Sequence, residues 1–285
     1  MLLHKLENLV EGCVAKRPSK YIKTPYVADV TIANSSDVLG HTPALGCCGL
    51  SDVGSSVLLS AKEESKSKSK NKANMKCSHT VYLSIVRERE QNIIVGIHPK
   101  LAELLTESAL KMNLLSKLQN CKSYKRETSI YIPDKVDSRF DFTGIDENNI
   151  PFIMEVKNVP LADYEDLTAK ERVNYDFSDR DINSKVAYFP DGYRKKTTDT
   201  VSPRALKHIT ELTTIKSESA IRCIMCYVIQ RTDVNRFQPS IIDPIYRDAF
   251  IQAVNAGVEI ITMVVSWNVD GEAYFIRDDL PFPFC

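Results

Sequence analysis

The chain has 285 residues, 37 Lys and Arg against 37 Asp and Glu, and 43% hydrophobic content. That length suits two domains and buries a sizeable core without disulfides or metals to hold it. The balanced charge excludes a protein that holds nucleic acid by bulk attraction, so any basic surface has to be local.

The first segment, MLLHKLENLVEGC, has no sustained apolar stretch, which predicts no secretory signal. The eight cysteines (Cys13, Cys47, Cys48, Cys77, Cys121, Cys223, Cys226 and Cys285) then imply reduced thiols in an intracellular, non-secreted protein of cytoplasm or nucleus. Two β-rich runs follow, YVADVTIAN (26–34) and SSVLLSAK (55–62). KEESKSKSKNKANMK (62–76) alternates lysine with serine, buries too little to offset ordering entropy, and predicts a mobile loop. A further strand pair is expected over 78–90 and 91–98, and several short strands with turn residues between them suggest a small barrel or sandwich.

The period then changes. In PKLAELLTESALKMNLLSKLQN (99–120), Leu101, Leu104, Leu105, Met112, Leu115 and Leu118 recur at three- and four-residue steps, one face of an amphipathic helix opened by Pro99. The domain boundary is placed just before it, giving domains 1–98 and 99–285. ETSIYI (127–132) and a hairpin over 138–159 come next, then a polar stretch over 162–199. A helix over 202–216 has Ser202 as its cap and Pro203 in its first position. An apolar strand (220–231), a helix ended by Gly257 (243–257) and another buried strand (258–269) complete the chain, and this alternation argues for an α/β layer with a mainly parallel part. The longest apolar runs are about half the length needed to span a bilayer, so no membrane insertion is expected.

The hairpin SRFDFTGIDENNIPFIMEVKNV carries Asp141, Glu155 and Lys157 inside its strand-like runs. Alternation puts Glu155 and Lys157 on one face and Phe152, Met154 and Val156 on the other. If Ile145 pairs with Pro151, Asp141 falls opposite Glu155; a one-residue slip drives charges into the apolar layer. The first register is expected, with Phe140 and Phe142 packed beside Phe152, Met154 and Val156. Two adjacent carboxylates resist full ionisation, and a hard divalent cation relieves them. A lysine beside such a site holds a phosphate oxygen or orients water, the arrangement for metal-assisted phosphodiester hydrolysis. A solvated hairpin face with the same residues is the plain alternative. The apolar flanks favour the site, and Glu107 stands on the shoulder of the preceding helix's apolar stripe as a third carboxylate.

The Asp…Glu-x-Lys pattern, with thirteen residues between Asp141 and Glu155, resembles the signature of the PD-(D/E)XK nuclease superfamily. The wider context is more specific. SRFDF…MEVKNVPL, AYFPDGYRKKTTDTVSPRALKHITEL, HTPALGCCGLSDVGSSVLLS and CYVIQRTDVNRFQPSIIDPIYRDAFIQAVNAGVEI together resemble the sugar fermentation stimulation protein A (SfsA) family, from about Tyr26 to Pro281. The resemblance implies an N-terminal OB-like small β-barrel followed by a PD-(D/E)XK nuclease-like α/β/α domain with a central mixed sheet. It implies a nuclease acting on DNA or RNA, single strands included, with Mg²⁺ or Mn²⁺ as cofactor.

Carried over by motif, Asp141, Glu155 and Lys157 are catalytic, and Glu107, Asp141, Glu155 and the Val156 carbonyl hold the metal. Arg204, Lys207 and His208 face a phosphate, and His41 is a further nucleic-acid contact, or else merely finishes a turn. Departures from the family are Ala44 in place of an asparagine, the long Lys/Ser run, and an apparent insertion between Leu161 and Ala187. The alternative function is a DNA-binding regulator on a nuclease scaffold without catalysis; a protein that binds no nucleic acid is a third class. Oligomeric state, a homodimer included, stays open.

CIMC (223–226) has half-site spacing, but three residues along a strand face opposite sides and no second pair matches, so buried structural thiols are expected. On the 202–216 helix, Ala205, Leu206, Ile209 and Leu212 form the core face, with Arg204, Lys207, His208 and Glu211 on the other side.

Overall fold

Short runs rich in Val, Ile and Leu form the N-terminal strands, because branched side chains pack well on a pleated, half-buried surface. They are β1 (Leu2–Lys5), β2 (Val10–Lys16), β3 (Val27–Ile32), β4 (Val38–His41), β5 (Ser56–Ala61), β6 (His79–Glu88) and β7 (Gln91–Gly96). The structure, a computed structural model, describes residues 1–33, 37–42, 49–62, 77–190 and 199–283. Ala44, Cys47, Cys48, Cys285, nearly all of the Lys/Ser run and residues 191–198 of the 187–212 motif lie outside the described residues.

Six of these strands make one sheet in the order β4-β3-β2-β5-β6-β7, and β4 also pairs with β6, so β2 to β6 close a ring of hydrogen-bonded neighbours. Val14, Ala28, Val30, Val57, Leu59, Val81 and Val95 form the core of this unit. The remaining strand, β1, leaves it: Leu2 pairs with Tyr274 and Lys5 with Glu272. The first strand therefore adds to the C-terminal sheet, where β1 covers the edge that β16 would otherwise leave open.

The C-terminal part contains α1 (Pro99–Lys111), β8 (Ser123–Ile132), β9 (Val136–Ile145), β10 (Pro151–Val159), β11 (Ala162–Asp163), the short α2 (Ala169–Arg172), β12 (Lys185–Phe189), α3 (Pro203–Glu218), β13 (Arg222–Ile229), β14 (Val234–Pro239), α4 (Pro244–Asn255), β15 (Glu259–Trp267) and β16 (Glu272–Arg277). Its main sheet runs β1-β16-β15-β13-β10-β9-β8, with β10, β13 and β15 mutually parallel and the flanking pairs antiparallel. One face packs Phe142, Phe152, Met154 and Val156 against Leu101 and Leu105 of α1. The other packs Ile153, Met225 and Tyr227 against Ile209 and Leu212 of α3 and Phe250 of α4. β11, β12 and β14 form a separate small sheet. No helix among the described residues is long and apolar enough to cross a membrane.

Helix ends follow local chemistry. The amphipathic pattern predicts a helix through residue 120, but α1 stops at Lys111 because Asn113 turns left-handed (φ 55). Asn113 N then donates to Leu110 O and Leu114 N to Ala109 O, the paired bonds that close a helix C-terminus. Leu115 and Leu118 stay buried in the turn that follows. Ser202 caps α3 through the Ala205 amide, and the Asp243 carboxylate caps α4 through the Tyr246 amide.

Buried polar and backbone contacts join the N-terminal ring to the C-terminal part. Lys185 donates 2.6 Å bonds to Glu88 of β6 and to Asp233, and Arg231 grips Asp233 with two 2.6 Å bonds. Lys185, Asp233 and Arg231 are all buried, so each charge is balanced where water is excluded. At the end of β7, Gly96 N donates to Gln230 O, and a Cβ at position 96 would stand 1.9 Å from Gln230 Oε1 and 2.7 Å from Trp267 Nε1. Both of those side chains are buried, and Trp267 Nε1 donates to Gln230 Oε1 at 2.9 Å. Gly96→Ala is therefore expected to destabilise the chain by about 1–3 kcal/mol through overpacking. Thermal or urea denaturation of the variant checks this, and a wild-type midpoint would show that the junction is not tightly packed.

Candidate functional site

β9 and β10 pair with Ile145 opposite Pro151, Gly144 opposite Phe152, Thr143 opposite Ile153 and Phe142 opposite Met154. Continued by one step, this register puts Asp141 opposite Glu155. The ladder ends there instead, and Asp141 Oδ2 accepts the Val156 N–H at 2.7 Å. A side chain thus takes the amide that a strand neighbour would ordinarily engage. On the other side of β9, Arg126 pairs with Phe142 and Thr128 with Phe140, while Glu127 between them is left-handed (φ 51). Regular pairing is interrupted at Asp141 on both sides. Phe140 and Phe142, expected on one face, consequently separate: Phe140 joins the core beneath α3 and α4, and Phe142 the core beneath α1.

Glu155 and Lys157 lie on the β10 face opposite Met154 and Val156, as alternation requires. Glu155 is 2% exposed, and its Oε1 accepts from Lys157 Nζ and from His208 Nδ1. Because a carboxylate only accepts, His208 carries its proton on Nδ1. Lys157 Nζ stands 3.5 Å from the same ring nitrogen. Glu155 Oε2 is buried and has no hydrogen-bond partner. Burial raises the Glu155 carboxyl, but Lys157 and His208 outweigh it and hold the group below its ordinary value. Burial, and after it the Glu155 charge, push the Asp141 carboxyl up to about 7 despite the Val156 amide and Lys157.

His208 is a correction to the sequence reading. It does not face outward toward a phosphate but is 4% exposed, packs at 5.7 Å from the Phe140 ring and holds Glu155. The sequence did carry a signal: Ala205, His208, Ile209, Leu212 and Ile215 follow the spacing of a helical core stripe, and all five are buried. Glu211, also expected outside, is buried and accepts the Asp137 amide at 3.0 Å through Oε1, leaving its Oε2 buried without a partner. Arg204 and Lys207 are exposed, and Lys207 Nζ donates to Asp137 O. His41 ends β4 in the N-terminal ring and lies outside this cluster; burial and then the charge of Lys62 lower its pKa.

Glu107 does not join the two acids. It accepts from Tyr124 (3.1 Å) and Arg126 (2.8 Å) and pairs with Lys111 (3.0 Å). The α1 acid whose charge bears on Asp141 is Glu103, one turn earlier, tied to the other Arg126 nitrogen at 3.0 Å. Cys223 and Cys226 are fully buried in opposite cores, their thiols pushed up to about 12 by burial, so both are inert.

Among the described residues no three His, Cys, Asp or Glu side chains stand together as a metal cage. Two carboxylates, one with a buried unpartnered oxygen and one that resists ionisation, instead suit a cation that keeps much of its own water. Asp141 and Glu155 are the two side chains that could hold such a hydrated divalent cation.

Comparison with known proteins gives similarities of three kinds. The family profile described as "Sugar fermentation stimulation protein RE domain" matches residues 180–271. A sugar fermentation stimulation protein homolog of Alteromonas mediterranea is 27% identical over 280 residues, spanning 96% of this chain and 97% of that one. A homolog from Pseudomonas savastanoi pv. phaseolicola is 30% identical over 186 residues, 65% of each chain. Pyrococcus furiosus SfsA, solved in complex with Ca²⁺, superposes with a TM-score of 0.73 over 100% of both chains at 19% identity. Over nearly its whole length the chain is similar to sugar fermentation stimulation (SfsA) proteins, and it shares the fold of the P. furiosus one.

Proposed function

We propose that the chain is a divalent-metal-dependent nuclease that hydrolyses phosphodiester bonds in DNA or RNA at Asp141, Glu155 and Lys157. The observation that carries this reading is the buried, unpartnered Glu155 Oε2 beside an Asp141 carboxyl raised to about 7. A purely structural cluster gains nothing from two acids left in that state, whereas a cation satisfies both. The Ca²⁺ bound by the P. furiosus relative, which shares the fold, points the same way.

When bound, Mg²⁺ or Mn²⁺ supplies an acidified water and a polarised phosphate. Asp141 keeps Oδ2 on the Val156 amide, which leaves Oδ1 for the cation. Glu155 offers Oε2, because Lys157 and His208 both load Oε1. Lys157, with its side chain 11% exposed, is placed to orient the attacking water or to meet the negative charge that develops on the phosphate. The exposed Arg204 and the N-terminal ring, read as an OB-like fold, would hold the strand on either side.

Incubation of single- and double-stranded DNA and RNA with Mg²⁺ or Mn²⁺, with and without chelator, tests the activity. Asp141→Ala and Glu155→Ala are expected to reduce cleavage to the chelated background while nucleic-acid retention persists. Lys157→Ala is expected to lower kcat about 10²–10³-fold, the loss typical of one transition-state donor. Cation-dependent cleavage that survives in the Asp141→Ala, Glu155→Ala double variant would remove these residues from the site. Retention of nucleic acid without cleavage in every condition would favour the non-catalytic regulator.

The raised Asp141 carboxyl sets a pH dependence. Between its ordinary value and about 7, the folded cation-free chain holds a proton that the unfolded chain has released. Stability from this group is therefore present at low pH and falls as the pH rises through that window. A cation displaces the proton, so Mn²⁺ is expected to raise the melting temperature more at about pH 8 than at about pH 5.5, and Asp141→Asn is expected to remove the difference. Thermal melts in Mn²⁺ and in chelator measure this; equal shifts at the two pH values would count against Asp141 as a ligand.

A further inference from the structure

We infer that His208 is a positioning residue that determines cation specificity, by restricting Glu155 to one free oxygen. The inference rests on the proposed metal site and goes beyond it. Glu155 Oε1 accepts from both His208 Nδ1 and Lys157 Nζ, and Oε2 is left buried and unpartnered. With two donors on one oxygen, the carboxylate binds a cation through the other oxygen alone. Mg²⁺ takes carboxylates in near-octahedral geometry and keeps several waters, whereas Ca²⁺ accepts more ligands and often takes a carboxylate through both oxygens. A carboxylate pinned through Oε1 therefore favours the smaller cation.

His208 itself has little freedom. It sits in the core stripe of α3 between Ala205 and Leu212, is 4% exposed, and lies against the Phe140 ring at 5.7 Å. Phe140 in turn is held on that side of the sheet by the break in pairing at Asp141. The same local distortion that presents Asp141 to the site thus places the ring against which His208 rests. Lys157 donates to the same oxygen from β10 itself, through a longer side chain than the imidazole. Removing the imidazole frees Glu155 to turn and offer both oxygens.

The test is calorimetric titration of the full chain with Mg²⁺, Mn²⁺ and Ca²⁺, together with circular dichroism to confirm folding. In His208→Ala, Mg²⁺ affinity is expected to fall about 10–100-fold, the usual effect of losing a group that orients a metal ligand, while Ca²⁺ affinity falls less. The Mg²⁺-to-Ca²⁺ affinity ratio therefore drops by about tenfold or more. His208→Asn, whose side-chain amide donates from nearly the same place, is expected to restore most of the ratio, and His208→Phe, which fills the space without a donor, is not. An unchanged ratio in folded His208→Ala or His208→Phe, while Glu155→Gln and Asp141→Asn lose both cations, would overturn the role of His208 and leave the metal site standing. Unaltered Mg²⁺ binding in Glu155→Gln and Asp141→Asn would overturn the site, and the specificity role with it.

Discussion

The amide of Val156, taken by a carboxylate instead of by a neighbouring strand, is the constraint on which the rest of the site depends. A buried backbone N–H must be paired, and in the middle of a sheet the usual partner is a carbonyl. Here Asp141 Oδ2 takes that place at 2.7 Å. The exchange ends the β9–β10 ladder at Phe142 and sends Phe140 and Phe142 to opposite cores. It also holds Asp141 beside Glu155, where burial and the neighbouring charge make ionisation of Asp141 costly. One hydrogen bond thus links strand geometry, core packing and the electrostatics of the cluster.

Around that point the chain surrounds the charged residues with rigid elements. Glu155 and Lys157 lie on β10, whose parallel neighbour β13 is almost wholly buried. α3 contributes His208 from a face that also supplies Ile209 and Leu212 to the core. Rotation of the helix would expose those side chains, so apolar packing fixes where the imidazole points. On the opposite face, Arg126 bridges Glu103 and Glu107 of α1. It keeps Glu107 engaged there with Tyr124 and Lys111, away from Asp141 and Glu155. A reading with two carboxylate ligands follows from this division of the acids.

The N-terminal ring is joined to this framework by groups that tolerate little change. Lys185, buried between the partly exposed Glu88 and the buried Asp233, spans the two parts, and its removal would unbalance the buried charges around Asp233. Gly96 permits a backbone approach to Gln230 that any Cβ would block. β1 ties the start of the chain to β16, so the N-terminal segment contributes to both parts. Such a junction holds the ring in a fixed place relative to Asp141 and Glu155.

Alternation and periodicity in the sequence determined much of this. They specified the hairpin register, because a one-residue slip would turn Asp141 of β9 to the Met154 side of β10. They specified the buried strands β13 and β15 and the capped starts of α3 and α4, since apolar runs, Ser202, Asp243 and the prolines after them act locally. The triplet Asp141, Glu155 and Lys157 was legible for the same reason. The tertiary structure alone decided what depends on elements distant in sequence. It brought His208 to Glu155 across 53 positions, set Glu107 aside with Arg126, and gave β1 to the far edge of the other sheet. Local patterns describe which face a residue takes, but not what the chain later folds against that face; that is settled by which apolar surfaces exclude water together.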